Sequence, residues 1–393
     1  MIKIEQPQLV CDENESRLET YVTIDNIRER IWFSVDKKYE SYLCYERSDA
    51  YVIAILDYAM RNGHDISCEA PITEELYYNL DKVLIDAIVG YNKHFYRIKI
   101  DAPITNEDLI CAGAVGTGIS CGVDSLHAMA NQTNLKYKNH NITHLTFNNV
   151  GSHGEAERAQ ILYQQRLARP KKFAEEYGYN FVASNSNLMD IIKQSHFKTH
   201  TFSSMFAVFC LQKLYSVYYY ASGGYHYDEF SLCDNPKSSS GSYEILSLPL
   251  FSTKKLRIYS EGAGLSRMDK LKLVVNYSPS YKYLNVCLKE GENCGKCEKC
   301  IRTLLGIDLY RKLDKYEHVF DIQYYKNNKK WYILQMLIQI ADKKHDYYEM
   351  YPHFKDEISL EMKIKVLPYK LRNIFPASFK TSIIGKFFKS FLE

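Results

Sequence analysis

The sequence predicts a doubly wound, mainly parallel α/β sheet with a four-cysteine zinc knuckle, a small α/β amino-terminal domain and a helical carboxyl-terminal extension. Three observations predict it. Short apolar runs alternate with amphipathic helical stretches through the middle of the chain. One such run ends in the turn Gly118-Ile119-Ser120-Cys121-Gly122-Val123-Asp124-Ser125. Cys287, Cys294, Cys297 and Cys300 follow later, at metal-ligand spacing.

Composition sets the frame. With 393 residues, 46% of them hydrophobic, the chain buries a large core and holds two or three domains. Fifty basic and 47 acidic residues leave a net charge of +3, so no global field argues for nucleic acid as a partner. The amino terminus lacks a secretory leader pattern and no run approaches the length of a membrane span, so the expectation is a cytoplasmic protein with no transmembrane segment. The 34 tyrosines carry no functional assignment.

Residues 1–108 read as the small α/β domain. Ile31 to Val35 is a strand, and Ser48-Asp49 caps an amphipathic helix that runs to Met60 and stops at Asn62-Gly63. Asp65 to Glu69 is strand-like, Pro71 to Glu75 opens a helix carrying Leu76, Leu80, Val83, Leu84 and Ala87, and Tyr96 to Ile100 is an alternating strand. No catalytic cluster falls here. The segment reads as a scaffold or a docking module for a partner protein or a second copy.

Residues 109–312 form the core domain. The apolar run from Leu109 to Ile119 leads into Ser120-Cys121-Gly122, and Leu126 to Ala130 continues as a helix. Backbone N–H groups at such a helix start face an anion. Gly122 permits close backbone approach, Ser120 and Ser125 donate to phosphate oxygens, and Asp124 caps the helix or holds Mg²⁺.

Next come a strand at His144 to Phe147, a turn at Asn149 to Gly154, a polar helix from Glu155 to Tyr177 and a strand at Phe181 to Ser184. A helix from Met205 to Tyr215 leads into the strand Ser216 to Ala221, which opens at Ser222-Gly223-Gly224. Ligands of open α/β sheets bind beyond the carboxyl ends of the strands, which makes Gly151, Ser152, His153, Gly223 and Gly224 cleft residues. Pro236 to Ser242 reads as a mobile low-complexity loop.

Four thiolates at the spacing of Cys287, Cys294, Cys297 and Cys300 close a tetrahedron around Zn²⁺, with an iron–sulfur cluster or redox thiols as the lesser readings. The other seven cysteines lie among apolar neighbours and read mostly as buried hydrophobes.

The turn Ser120–Ser125 resembles the SGGxDS loop of the PP-loop ATP pyrophosphatases, a branch of the HUP-type folds. Together with the Cys-Gly-Lys-Cys knuckle followed by Arg302, it is similar to 7-cyano-7-deazaguanine synthase and its relatives, from about Leu109 to Asp308. Leu248-Pro249-Leu250 and Leu265 to Lys270 stand where that family has a Pro-Leu turn and a late helix opening. The resemblance implies that Ser120, Gly122, Asp124 and Ser125 bind ATP phosphates together with Gly151 and Gly223, and that Asp124, Ser125 and Arg267 serve the reaction. It implies that Arg267 replaces a phosphate-contacting lysine and that the four knuckle cysteines bind zinc. Lys270 fits an ordinary solvated helix face equally well and stays outside this set. The implied cofactors are ATP, Mg²⁺ and Zn²⁺. The implied chemistry, that of queuosine-type deazaguanine synthesis, adenylates a carboxylate, releases pyrophosphate and admits ammonia to form an amide and then a nitrile.

The departures are equally informative. Cys121 occupies the place of the family's first glycine, so φ is expected to stay negative there. Gly151-Ser152-His153 replaces a Gly-Gln-Arg turn, and Thr199-His200-Thr201-Phe202 replaces a segment with an Arg-Asn pair. Sites that hydrogen-bond a substrate are intolerant of missing donors, so the expected function is an ATP-dependent carbon–nitrogen ligase acting on a changed acceptor. His153 and His200 are the candidates to bind that acceptor or move a proton. Two other classes stay open: an RNA-thiolating sulfur transferase and a non-catalytic nucleotide-binding scaffold.

Residues 313–393 read as the helical extension. Trp331 to Ile340 is one helix, and the basic, aromatic stretch Phe375 to Leu392 places Phe379, Ile383, Phe387 and Phe391 at the spacing of one helical face. That face suits its own domain, a second copy, a partner groove or a membrane surface.

Overall fold

The structure, a computed structural model, describes residues 1–154, 156–223, 227–287 and 291–374. Contacts group the chain into two compact units, residues 1–120 with 124–264, and residues 121–123 with those from 265 onward.

The strands of the first unit are β1 (Ile2–Ile4), β2 (Gln8–Cys11), β3 (Glu15–Ile24), β4 (Ile27–Asp36), β5 (Ile66–Cys68), β6 (Ile72–Thr73), β7 (Ile100–Asp101), β8 (Ile104–Thr105), β9 (Ala114–Gly118), β10 (His144–Asn149), β11 (Asn180–Ser186), β12 (Tyr215–Ala221) and β13 (Arg257–Glu261). Among the described residues eleven of them form one sheet, ordered β13-β12-β9-β10-β11-β4-β3-β1-β5-β7 with β2 on β3, while β6 and β8 pair separately.

From β13 to β11 the pairing is parallel throughout. In chain order those five strands lie 3-2-1-4-5, so the winding reverses between β9 and β12. The short central strand β9 is buried at four of its five residues, as a parallel strand covered on both faces must be. β3 instead alternates buried and partly exposed residues, the pattern of a half-solvated antiparallel strand.

The expected boundary near Asp108 falls inside this unit. β4 pairs antiparallel with β11 through Val35–Ser184, Ser34–Asn185 and Phe33–Ser186, so the amino-terminal strands extend the parallel sheet. This pairing covers an edge that would otherwise present unpaired N–H and C=O groups. The core is shared as well. Phe206 of helix α7 (His196–Cys210) meets the ring of Phe33 at 5.8 Å and that of Tyr51, in α1 (Asp49–Asn62), at 5.6 Å.

α1 ends where expected, at Gly63 with φ +67°. The helix expected from Met205 begins instead at His196 and ends at Cys210. Its buried Thr199, Thr201 and Ser203 interrupt the apolar periodicity that would have revealed its first half. Of the expected strand Tyr96 to Ile100 only Ile100 pairs, because Tyr96 N–H is given to Met60 O. The stretch Pro236 to Ser242 is not a mobile excursion. Ser238, Ser239 and Ser240 are buried, Arg61 donates to the carbonyls of Pro236 and Ser238, and Asn92 donates to Ser238 Oγ. Leu248 to Leu250 forms the last turn of a helix, Glu244–Leu250, in place of the expected Pro-Leu turn. Of the seven cysteines outside the knuckle, Cys44, Cys68, Cys121 and Cys210 are buried, whereas Cys11 and Cys233 are exposed.

The second unit is helical. The helix Arg267–Val274 meets Glu298–Leu309 closely, since a Cβ on Gly306 would lie 2.3 Å from Leu271 Cδ2. The predicted helix near Trp331 spans Lys329–Ala341 and packs against Leu360–Ile374. The stretch Phe375 to Leu392 lies outside the described residues. No described helix is long and apolar enough to cross a membrane.

Candidate functional site

In open α/β sheets, ligands bind beyond the carboxyl ends of the strands, where the winding reverses. Here that point lies between β9 and β12, and the turn leaving β9 is Ser120 to Ser125. Gly116, within β9, allows the strand to pass the rings of Tyr215 and Tyr218, which a Cβ would approach to 2.7 and 2.8 Å. Ser120 N–H donates to Ser125 Oγ at 3.3 Å, and the two hydroxyl oxygens are also 3.3 Å apart. Ser120 is exposed, Asp124 half-buried and Ser125 buried, at the start of the helix Val123–Asn131. Two hydroxyls and a helix start therefore converge at one strand end, an arrangement that solvates an anion.

Cys121 departs from expectation. Its φ is +58°, in the left-handed region, and its side chain is fully buried. A non-glycine residue held there is strained by roughly 1–2 kcal/mol, and such strain persists only where surrounding contacts fix the backbone. Its carbonyl accepts from Asn285 N–H at 2.8 Å.

Beyond β12, Ser222 N–H donates to Glu261 O, and Gly223 is exposed with open space where a Cβ would project. Gly224 lies outside the described residues. Beyond β10, Gly151 has φ +122°, and a Cβ there would meet His196 Nδ1 at 2.8 Å and Met189 at 3.1 Å. The face of Gly151 is thus filled by protein side chains, and its expected place among the nucleotide-binding residues gives way to a packing role.

Histidines crowd this end of the sheet. His153 sits between the rings of Phe147 and Tyr163 at 5.2 and 5.5 Å, with Nδ1 3.2 Å from Ser152 Oγ. Burial, followed by the charges of Arg166 and His196, pushes its pKa down to about 4. His196 is pushed to about 4 by burial, and its buried Nδ1 has no hydrogen-bond partner. His200, 6.0 Å from His196 ring to ring, is pushed to about 3 by burial and then by His196. Near neutral pH all three are uncharged and cannot act as the cationic donors that the family places in these segments.

His200 Nδ1 lies 2.5 Å from the Tyr220 hydroxyl. Burial above all, then the charges of Glu244 and Asp124 among its neighbours, raises the Tyr220 phenol well above its ordinary pKa. Two buried carboxylates complete the surroundings. Glu244 accepts from Ser260 Oγ at 2.9 Å, and Glu261 accepts from Asn131 at 2.8 Å and Gln132 at 2.6 Å, with His127 Nδ1 at 3.5 Å. Sequence reading missed Tyr220, His196, Glu244 and Glu261. The sequence position of Glu261, at the end of an apolar strand, was the available signal.

Arg267 belongs to the second unit. It opens its helix behind a capping box, in which Ser266 Oγ accepts from Asp269 N and Asp269 accepts from Ser266 N. Lys270 is buried, so the solvated-face explanation does not hold for it.

The second unit also carries the cysteine cluster. The sulfurs of Cys287, Cys294, Cys297 and Cys300 all lie within 4.8 Å of one another, and those of Cys287 and Cys297 are 3.9 Å apart. Thiolates at the usual 2.3 Å from a tetrahedral zinc lie about 3.8 Å apart, so these residues fit the ion. The loop is built to hold them. Asn293 Oδ1 accepts from the N–H groups of Val286 and Cys287, Gly295 takes φ +71°, and Tyr332 donates to Gly295 O. Cys297 caps the helix that carries Cys300. Backbone N–H groups of Lys296 and Cys297 overcome the opposing effect of burial and lower the Cys294 thiol to about 7, toward the thiolate that a metal requires.

No protein-family model, curated protein or solved structure matches this chain.

Proposed function

We propose that this chain binds ATP against the Ser120–Ser125 turn and uses it to adenylate an acceptor. In this reading an acceptor carboxylate oxygen attacks the α-phosphorus, the bond to the β-phosphate oxygen breaks, and pyrophosphate departs. A nitrogen nucleophile then attacks the activated carbonyl carbon and AMP leaves. The observation that carries the reading is the siting of the turn, with two serine hydroxyls 3.3 Å apart at the strand end where the sheet reverses its winding.

Ser120, Ser125 and the first N–H groups of the following helix would take the phosphate oxygens, where negative charge spreads as pyrophosphate leaves. Asp124 is the carboxylate suited to hold Mg²⁺, which would supply charge neutralisation at those oxygens. The strained Cys121 would fix the curvature of the turn before ligand arrives. Neutral His153 and His200 in place of cationic donors support an acceptor different from that of deazaguanine synthesis. In the second unit, zinc on the four cysteines would be structural, since all four positions of the tetrahedron are filled by protein.

Incubation with Mg²⁺ and α-labelled ATP, with and without 7-carboxy-7-deazaguanine and ammonium, tests the proposal. AMP formation that depends on acceptor and falls about 100-fold in Asp124→Ala supports it. Absence of ATP binding by calorimetry overturns it, and binding without turnover with this acceptor redirects the search to other carboxylates.

A further inference from the structure

The helix Leu360–Ile374 has two apolar faces. Met362 and Val366 point inward and are buried. Leu360, Ile364 and Leu367 are 73%, 57% and 50% exposed. At 100° per residue the two sets lie on opposite sides of the helix, so the outer stripe is an addition to the packing face. Lys363 and Lys370 fall beside that outer stripe by the same count, and Lys365 is exposed and paired to Glu361 at 2.6 Å.

The charge of the chain is unevenly spread. Residues 360–393 hold seven Lys and Arg against two Glu, a net of +5, whereas the remainder of the chain carries −2. The same stretch is rich in aromatic and aliphatic residues, with Phe375, Phe379, Phe387, Phe388 and Phe391 interspersed with Lys380, Lys386 and Lys389. Exposed apolar side chains flanked by lysines, on a segment that carries the basic excess of the whole chain, match an anionic lipid surface. Acyl chains accept the apolar stripe and lipid phosphates accept the lysines. A second copy of the chain would bring like charges together along the same stripe.

We propose that residues 360–393 form a peripheral membrane-binding element, which seats the Leu360-Ile364-Leu367 stripe and the following phenylalanines in the interface of an anionic bilayer.

The test is sedimentation of the full chain with vesicles of phosphatidylcholine alone or with 30% phosphatidylglycerol, the probe composition chosen for the assay. Binding at least about tenfold stronger to the anionic vesicles, and weakened severalfold by 0.5 M salt, is expected. Two separate variants, Ile364→Glu with Leu367→Glu and Phe387→Ser with Phe391→Ser, should each lose most of that binding. Both should keep the wild-type circular dichroism and metal content, and a misfolded first variant leaves the decision to the second. The proposal is overturned by equal or absent binding to the two vesicle types, or by undiminished binding of the second variant. It is also overturned by a concentration-dependent dimer that dissociates in the variants while no vesicle binding occurs.

Discussion

The Tyr220 hydroxyl lies 2.5 Å from His200 Nδ1, and the two rings stack with an interplanar angle of 16°. The proton positions follow from the surrounding bonds. Ser239 Oγ donates to Phe197 O at 2.7 Å, which leaves it to accept from Gly241 N–H and from His200 Nε2 at 3.4 Å. His200 therefore carries its proton on Nε2, and its bare Nδ1 accepts from Tyr220.

Tyr220→Phe leaves that Nδ1 as a buried acceptor without its donor. A loss of about 1–3 kcal/mol in unfolding free energy is expected, measured by urea denaturation. Introducing His200→Phe in the same background should recover part of it, because two apolar rings leave no unsatisfied atom.

His153, His196 and His200 make the first unit acid-sensitive. Their folded pKa values, about 4, 4 and 3, lie below the ordinary 6.5, so between these limits the unfolded chain binds more protons. Their contribution to stability is complete above pH 6.5 and is lost as pH falls toward 4. The initial slope is at most roughly 1.4 kcal/mol per pH unit for each histidine. Urea midpoints measured from pH 7.5 to 4.5 should show the decline, and His153→Phe should make it shallower.

Position 121 tests the strained turn. Cys121→Gly accommodates φ +58° and should change stability by less than about 1 kcal/mol, the relief of strain offsetting a lost buried thiol and a more flexible unfolded chain. Cys121→Val puts a β-branched residue in the left-handed region and should cost at least about 2 kcal/mol more than glycine. Thermal melts of the three proteins separate these outcomes.

For the cysteine cluster, metal analysis of the purified chain should give one zinc, and Cys300→Ser should abolish it. Structural zinc binding contributes about 10 kcal/mol or more to folding in small domains, so the variant should lose helical signal from the second unit. An unchanged melt would mean that the helices around Tyr332 and Leu304 hold the unit together without metal.

Gly116→Ala tests the close approach of β9 to its neighbours. The added methyl meets two buried tyrosine rings at 2.7–2.9 Å, and a loss of about 1–3 kcal/mol by urea denaturation is expected.

The sequence by itself determined the features that depend on neighbours in the chain. The strand, turn and helix around Ser120, the limits of the helix ending at Gly63, and the four cysteines are legible because periodicity, punctuation and ligand spacing are local properties. Only the tertiary structure decided what depends on residues distant in sequence. The joining of β4 to β11 merged the expected amino-terminal domain with the parallel sheet, since register between strands about 150 residues apart leaves no local trace. Burial of Ser238 to Ser240 against Arg61 and Asn92 turned an apparent loop into part of the core. The meeting of Tyr220 with His200, and the positive φ of Cys121, are likewise imposed by packing, which overrides a residue's intrinsic preference wherever enough contacts fix the backbone.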